Sequence, residues 1–155
     1  MAIGSTPATT WLEGSGLRLN DGVVCDAHCR AAADVYAVGD VARWHHRGFA
    51  RDLRLENRTN ATEQGIFVAA AITGADSPYT PVPYFWSDQY GVRMQVHGLV
   101  PADARIRVIE GSVAERKFVA LAEAGDKVTG AVAWNSPRGV LRARHLIVDA
   151  MKPAR

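Results

Sequence analysis

Asp40 is the acid whose setting is most suited to chemistry. It follows Val35-Tyr36-Ala37-Val38, a β-branched and aromatic run that stops at Gly39, a pattern that predicts a buried strand ending at a functional loop. A carboxylate just after a strand and beside a glycine can bond paired hydroxyls, as an acidic residue holds a ribose in nucleotide sites. A Gly-Asp pair is equally an ordinary solvated turn, and residue types alone leave both open. Cys25 and Cys29 flank His28 but lack the second ligand pair of a structural zinc site and are too few for a disulfide framework. They are expected as free, buried or half-buried thiols. His45 and His46 are adjacent, so in an extended chain they point to opposite sides and make poor joint ligands. His97 alternates with Met94 and Val96 and is expected on the exposed face of its strand. No Ser-His-Asp set is present, and neither a catalytic residue nor a metal ligand is assigned.

The elements that must position these groups fit in a chain of 155 residues that is 48% apolar, enough for one domain or two small ones. A formal charge of +2 gives no case for nucleic-acid binding. No apolar run approaches the roughly 20 residues of a membrane span, and the amino terminus lacks a signal-peptide pattern, so the expected setting is cytoplasmic. Ala2 to Pro7 reads as the tail of a strand, Thr9 to Leu12 as a short helix, and Leu17 to Cys25 as a hairpin around Asn20-Asp21-Gly22. Arg54 to Thr73 is predicted as a helix with Ala61, Gly65, Val68, Ala69 and Ile72 on one face and Gly74 as its cap.

Three prolines between Ser77 and Pro83 mark a boundary near residue 80. Beyond it, Arg93 to His97, Arg105 to Ile109, Lys117 to Leu121 and Val128 to Trp134 are four candidate strands whose short connections favour antiparallel pairing. Pro137 to Met151 places Val140, Ala143, Ile147 and Ala150 on one face of an amphipathic helix. The fold class expected is therefore α+β, with the last helix covering one face of the sheet.

Three segments carry a resemblance. Ala33 to Ala42, with Val38-Gly39-Asp40 at its centre, resembles the second FAD fingerprint of the flavoprotein disulfide reductase superfamily. Arg54-Leu55-Glu56-Asn57-Arg58-Thr59-Asn60-Ala61-Thr62-Glu63-Gln64-Gly65 resembles the stretch that opens a helix beneath the flavin ring in oxygenase-coupled ferredoxin reductases. Val82-Pro83-Tyr84-Phe85-Trp86-Ser87-Asp88-Gln89-Tyr90 is similar to a segment typical of the putidaredoxin and rubredoxin reductase family. The resemblance implies that residues 1–80 are the second half of an FAD-binding α/β domain and residues 81–155 the small C-terminal reductase domain. It implies FAD contacts from Asp40 to the ribityl chain, from the Val41 amide to the pyrophosphate, from Glu56 and Arg58 at the helix start, and from Trp86 beside the ring. Arg58 stands where the family usually has an apolar or aromatic residue, which favours a backbone contact there. Judged without the family, Glu56 is a helix-start carboxylate favoured by the macrodipole and Trp86 a core or hinge anchor.

In the enzymes resembled, NADH or NADPH reduces FAD and the flavin passes electrons singly to a ferredoxin-type iron-sulfur protein. No Gly-x-Gly-x-x-Gly follows a strand here, so the chain alone is expected to be inactive and not to retain FAD. Five arginines between Arg43 and Arg58, with His45 and His46, face only Asp52 and Glu56 in that stretch; it can steer an acidic carrier or be a solvated basic loop. Two alternatives remain open: a stand-alone, non-catalytic interaction or dimerisation module, and a small flavoprotein that binds its cofactor across a homodimer. Neither nucleic acid nor membrane is expected as a partner.

Overall fold

Asn20-Asp21-Gly22 turns the chain back on itself, with Asn20 N–H donating to the Gly22 carbonyl at 2.9 Å and Leu19 bridging Val23. A computed structural model describes residues 4–152, and contacts divide the chain into two units, one ending at Thr80 and the other starting at Pro81. In the first, β1 (Val23–Cys25) pairs in parallel with β4 (Ala42–His46), and β4 pairs antiparallel with β5 (Arg51–Leu53). Between them β2 (Arg30–Ala32) and β3 (Val35–Tyr36) form a separate two-stranded ribbon. From Gly4 to Thr9 the chain is irregular, while Ala2 and Ile3 of the expected strand tail lie outside the described residues. Thr10–Leu12 is a single 3-10 turn.

The run at Val35 departs from expectation. Only two of its residues pair, with β2 alone, and Val35 and Val38 are about two-fifths exposed, at 39% and 40%. The buried strands at the core are instead β1 and β4, whose alternate residues Val23, Cys25, Ala42, Trp44 and His46 turn inward.

Helix α1 (Arg58–Ile72) begins at Asn57, whose side chain accepts from the Asn60 N–H at 2.8 Å. Its buried face is Asn60, Gln64 and Val68; Ala69 is exposed and Ile72 is 66% exposed. Of the predicted apolar face only Val68 is fully buried. Two amides replace the rest because they satisfy backbone and side-chain groups that would otherwise be enclosed without partners. Tyr79 closes this core: its N–H donates to the Ala27 carbonyl at 2.8 Å, its carbonyl accepts from Trp44 Nε1 at 3.2 Å, and its ring lies 5.4 Å from Trp44 and 4.9 Å from Phe67.

The second unit is a five-stranded antiparallel sheet in the order β6-β7-β10-β9-β8, built from Tyr84–Gln89, Val92–Gly98, Arg105–Ser112, Lys117–Ala124 and Lys127–Trp134 as β6 to β10. It has one strand more than the four read from the pattern, the edge strand β6. Helix α2 (Pro137–Ala150) buries Gly139, Val140, Ala143 and Ile147. A Cβ on Gly139 would lie 2.5 Å from Val119 Cγ2, so the sheet rows through Gln95, Ala133 and Val119 and through His97, Ala131 and Leu121 face this helix. At the far edge, β8 is exposed along nearly its whole length and bulges between Val108 and Glu110. Glu110 ties it to α2 by accepting from Ser136 Oγ at 3.1 Å and pairing with Arg142.

Candidate functional site

A single 3-10 turn, Gly39–Val41, carries Asp40. Gly39 has φ 71°, and a Cβ there would lie 3.3 Å from the Ala61 side chain. Glycine both adopts the left-handed backbone and lets α1 approach. The Gly39 N–H donates to Gln64 Oε1 at 2.8 Å. Gln64, wholly buried, also donates through Nε2 to Cys29 Sγ at 3.2 Å, while Asn60 Oδ1 accepts from the Tyr79 hydroxyl at 3.3 Å. The turn therefore rests on a buried polar chain from α1.

On its other side the turn is gripped by Arg54, whose side chain is only 12% exposed. Nη1 donates to the Asp40 carbonyl at 3.1 Å and pairs with Glu56, and Nη2 reaches Asp21 at 3.1 Å and the Ser5 carbonyl at 3.4 Å. Glu56 also accepts from the Ser5 hydroxyl; that bond, then Arg54, holds its carboxyl below the usual carboxylate range. A Cβ on Gly22 would lie 2.6 Å from the Val41 carbonyl, so the preceding hairpin packs backbone to backbone on the turn. Of this set only the bond from Arg54 Nη1 reaches Asp40, and it goes to the main-chain carbonyl; the carboxylate side of this exposed residue is left free of it.

Asp40 and Glu56 are thus held by one guanidinium, and Val41 lies beside them in the turn with its carbonyl against Gly22. Arg58 is the exposed first residue of α1 and none of these bonds reaches it. The organising residues that sequence reasoning missed are Arg54, Asp21, Asn60 and Gln64. The amides left one signal, a polar pair four residues apart on a helix otherwise rich in alanine. Burial pushes the thiols of Cys25 and Cys29 up to about 11 and about 12, so neither is a thiolate near neutral pH. In the basic stretch Arg43 meets Asp21 at 3.6 Å and Asp52 at 3.8 Å, and His45 meets Asp52 at 3.1 Å. Arg47, Arg51 and Arg58 are its exposed arginines. His45 is exposed and His46 buried, on opposite sides of β4. Among the described residues no three His, Cys, Asp or Glu gather as a metal site, and no helix is long and apolar enough to cross a membrane.

In the second unit, Trp86 on β6 is 50% exposed. Its ring stacks on Tyr84, with centroids 5.5 Å apart and planes inclined by 21°. Tyr84 in turn stacks on His97 at 4.5 Å and accepts from Gln95 Nε2 at 3.0 Å. His97 is 6% exposed, the reverse of the exposed position its alternation predicted. The outer face that alternation assigns to it is the one α2 covers. A groove of about 330 Å³ lined by residues such as Ser87, Met94, Arg116 and Trp134 lies on the opposite face of this sheet.

Residues 84–155 match the family model described as Reductase C-terminal, and residues 1–65 match Pyridine nucleotide-disulphide oxidoreductase. Rhodocoxin reductase of Rhodococcus erythropolis is 34% identical over 152 residues, covering 97% of this chain and 35% of that protein. Putidaredoxin reductase of Pseudomonas putida is 31% identical over 150 residues, covering 96% and 35%. A crystal structure of the covalent putidaredoxin reductase-putidaredoxin complex superposes with a TM-score of 0.85 at 33% identity, covering 96% of this chain and 36% of that one. By these matches the chain is similar to the pyridine nucleotide-disulphide oxidoreductase class and, within it, to the carboxyl-terminal portion of the ferredoxin reductases. It spans just over a third of the length of these curated relatives, 35% in both cases.

Proposed function

We propose that this chain is the part of an FAD-dependent NAD(P)H:ferredoxin oxidoreductase that completes the flavin site and presents the electron-acceptor face. The carrying observation is the Asp40 turn: its backbone is held by Gln64 and Arg54 while its carboxylate stays exposed, an arrangement suited to bonding the hydroxyls of a bound ligand without reorganisation. In this proposal the Gly39–Val41 turn and the start of α1 belong to the second half of an FAD-binding domain, and the unit from Pro81 is the reductase C-terminal domain. Asp40 bonds the ribityl chain and Val41 offers its amide to the pyrophosphate. Glu56 acts through Arg54, Arg58 contributes through its backbone, and Trp86 packs beside the ring. FAD, when bound, accepts hydride from NADH or NADPH and releases electrons singly. The recipient is a ferredoxin-type iron-sulfur protein, and the exposed arginines 47, 51 and 58 favour an acidic one. The enzyme works in the cytoplasm, and size-exclusion chromatography distinguishes monomer from homodimer.

The test mixes this chain with a separately expressed amino-terminal portion of a relative carrying both Gly-rich fingerprints and follows the flavin absorbance bands. Expected are no stoichiometric FAD on this chain alone, FAD on the reassembled pair, and a loss of roughly 10- to 100-fold in affinity for Asp40→Ala, the effect of one charged hydrogen bond. FAD held by the chain alone, or an Asp40→Ala pair that binds as tightly as the original, defeats the proposal.

A further inference from the structure

The face of the second unit under α2 holds two buried polar side chains with unmet hydrogen bonds, both on β7. His97 has neither ring nitrogen bonded, and Gln95 Oε1 accepts nothing. Native interiors seldom leave such groups idle, and where they do a functional reason is the first to seek. These two lie beside the indole expected at the flavin. Trp86, Tyr84 and His97 form a column that runs from half-exposed to buried, and Gln95 ties its middle ring through the Tyr84 hydroxyl.

We infer that Tyr84, Gln95 and His97 are positioning residues for Trp86, and that the protonation state of His97 sets the plane of the indole through this column. The inference rests on the reading of Trp86 as the indole of the cofactor and acceptor face; the column stands independently of it. The groups facing His97 explain the coupling. From β6 comes the Tyr84 ring, from β10 the uncharged Ala131, and from α2 the cationic Arg144. No carboxylate is among them. A second proton therefore creates an imidazolium with two N–H donors and a like charge nearby. The idle acceptor on the same face is Gln95 Oε1, in the amide that holds Tyr84. Recruiting it loosens the Tyr84 hydroxyl, and Trp86 moves with the ring on which it stacks. Burial and Arg144 together push His97 below the usual histidine range, which puts the change on the acid side of neutrality.

The whole chain, labelled with 5-fluorotryptophan, reports this by fluorine NMR. It has four tryptophans, and Trp86→Phe assigns the relevant signal. Between pH 8 and pH 5 the Trp86 signal is expected to shift, with a midpoint below about 6.5, while Trp134, on the opposite sheet face, stays still. His97→Phe abolishes the shift and Tyr84→Leu displaces the signal at every pH. If His97→Phe does not fold, Gln95→Leu takes its place and is expected to displace the signal at neutral pH and diminish its movement with pH. A Trp86 signal that does not move, moves no more than Trp134, or titrates unchanged in the substituted chain overturns the inference. Recorded on the chain stripped of any flavin, the outcome is separate from the fate of the cofactor proposal.

Discussion

Replacing Gln64 with leucine tests how the Asp40 turn is held. Leucine keeps most of the volume of the fully buried amide, so no large cavity opens. What disappears is the acceptor 2.8 Å from the Gly39 N–H and the donor 3.2 Å from Cys29 Sγ. Enclosing the Gly39 N–H without a partner costs about 1–3 kcal/mol, and the weaker thiol bond adds less. The extra apolar burial of leucine returns about 1 kcal/mol at most, on the scale of one buried methylene. A net loss of about 1–2 kcal/mol for the first unit follows from the centres of these two terms, or roughly 0.5–1 M in urea midpoint at a denaturant slope of about 2 kcal/mol/M. The assay is urea unfolding followed by the fluorescence of the buried Trp44, with amide exchange at Gly39 as the local readout. Gln64→Glu adds a signed control. It keeps an acceptor but buries a charge, so its folded-state pKa rises; its stability is greatest below about pH 4.3 and is lost as pH rises through the raised value. A Gln64→Leu chain within about 0.5 kcal/mol of the original, the range of a neutral surface change, with Gly39 exchange unaltered, refutes the reasoning.

Three other outcomes are expected. Burial and Arg144 lower the pKa of His97, so the unfolded chain binds more protons there than the folded one. The second unit should keep its full stability above about pH 6.5 and lose it as pH falls from there towards the folded value, read as a lower Tm at pH 5.5 than at pH 7.5 that His97→Phe flattens. Gly130→Ala places a Cβ 2.3 Å from the Leu99 carbonyl, a backbone atom that cannot swing aside, so about 1–3 kcal/mol should be lost in urea unfolding. Arg54→Ala removes the pairing that helps hold the Glu56 carboxyl down; carbon NMR titration should find it higher, though still below its ordinary value of 4.5 while the Ser5 hydroxyl donates.

Much of the second unit was legible because its central strands are short apolar runs set off by Gly, Pro or charged turns, β9 being buried without a break from Val119 to Ala122, and α2 keeps Val140, Ala143 and Ile147 on one stripe. Strand β6 was not, since an edge strand whose residues are all exposed or half-exposed carries no inside-outside rhythm. His97 was misplaced for a related reason: polarity assigned it outward, whereas the helix lies on that side. In the first unit, Gly39-Asp40 announced a special turn. Its supports did not announce themselves, because the bond from Gln64 and the contact between Arg54 and Asp21 join residues far apart in the chain. The strength of Val35-Tyr36-Ala37-Val38 as a strand signal misled on burial, because propensity describes a fit to a pleated surface and not the presence of a neighbour to cover it.

The bulge in β8 has a consequence for how copies of this molecule coexist at high concentration. A straight outer strand bearing Ile106, Val108 and Ile109 would offer an approaching polypeptide an unbroken row of donors and acceptors on which to add. The extra residue interrupts that row, and Arg105, Arg107 and Glu110 place charge beside the apolar side chains. Removing one residue at the bulge would restore a regular repeat and turn a protected margin into a template for stacking.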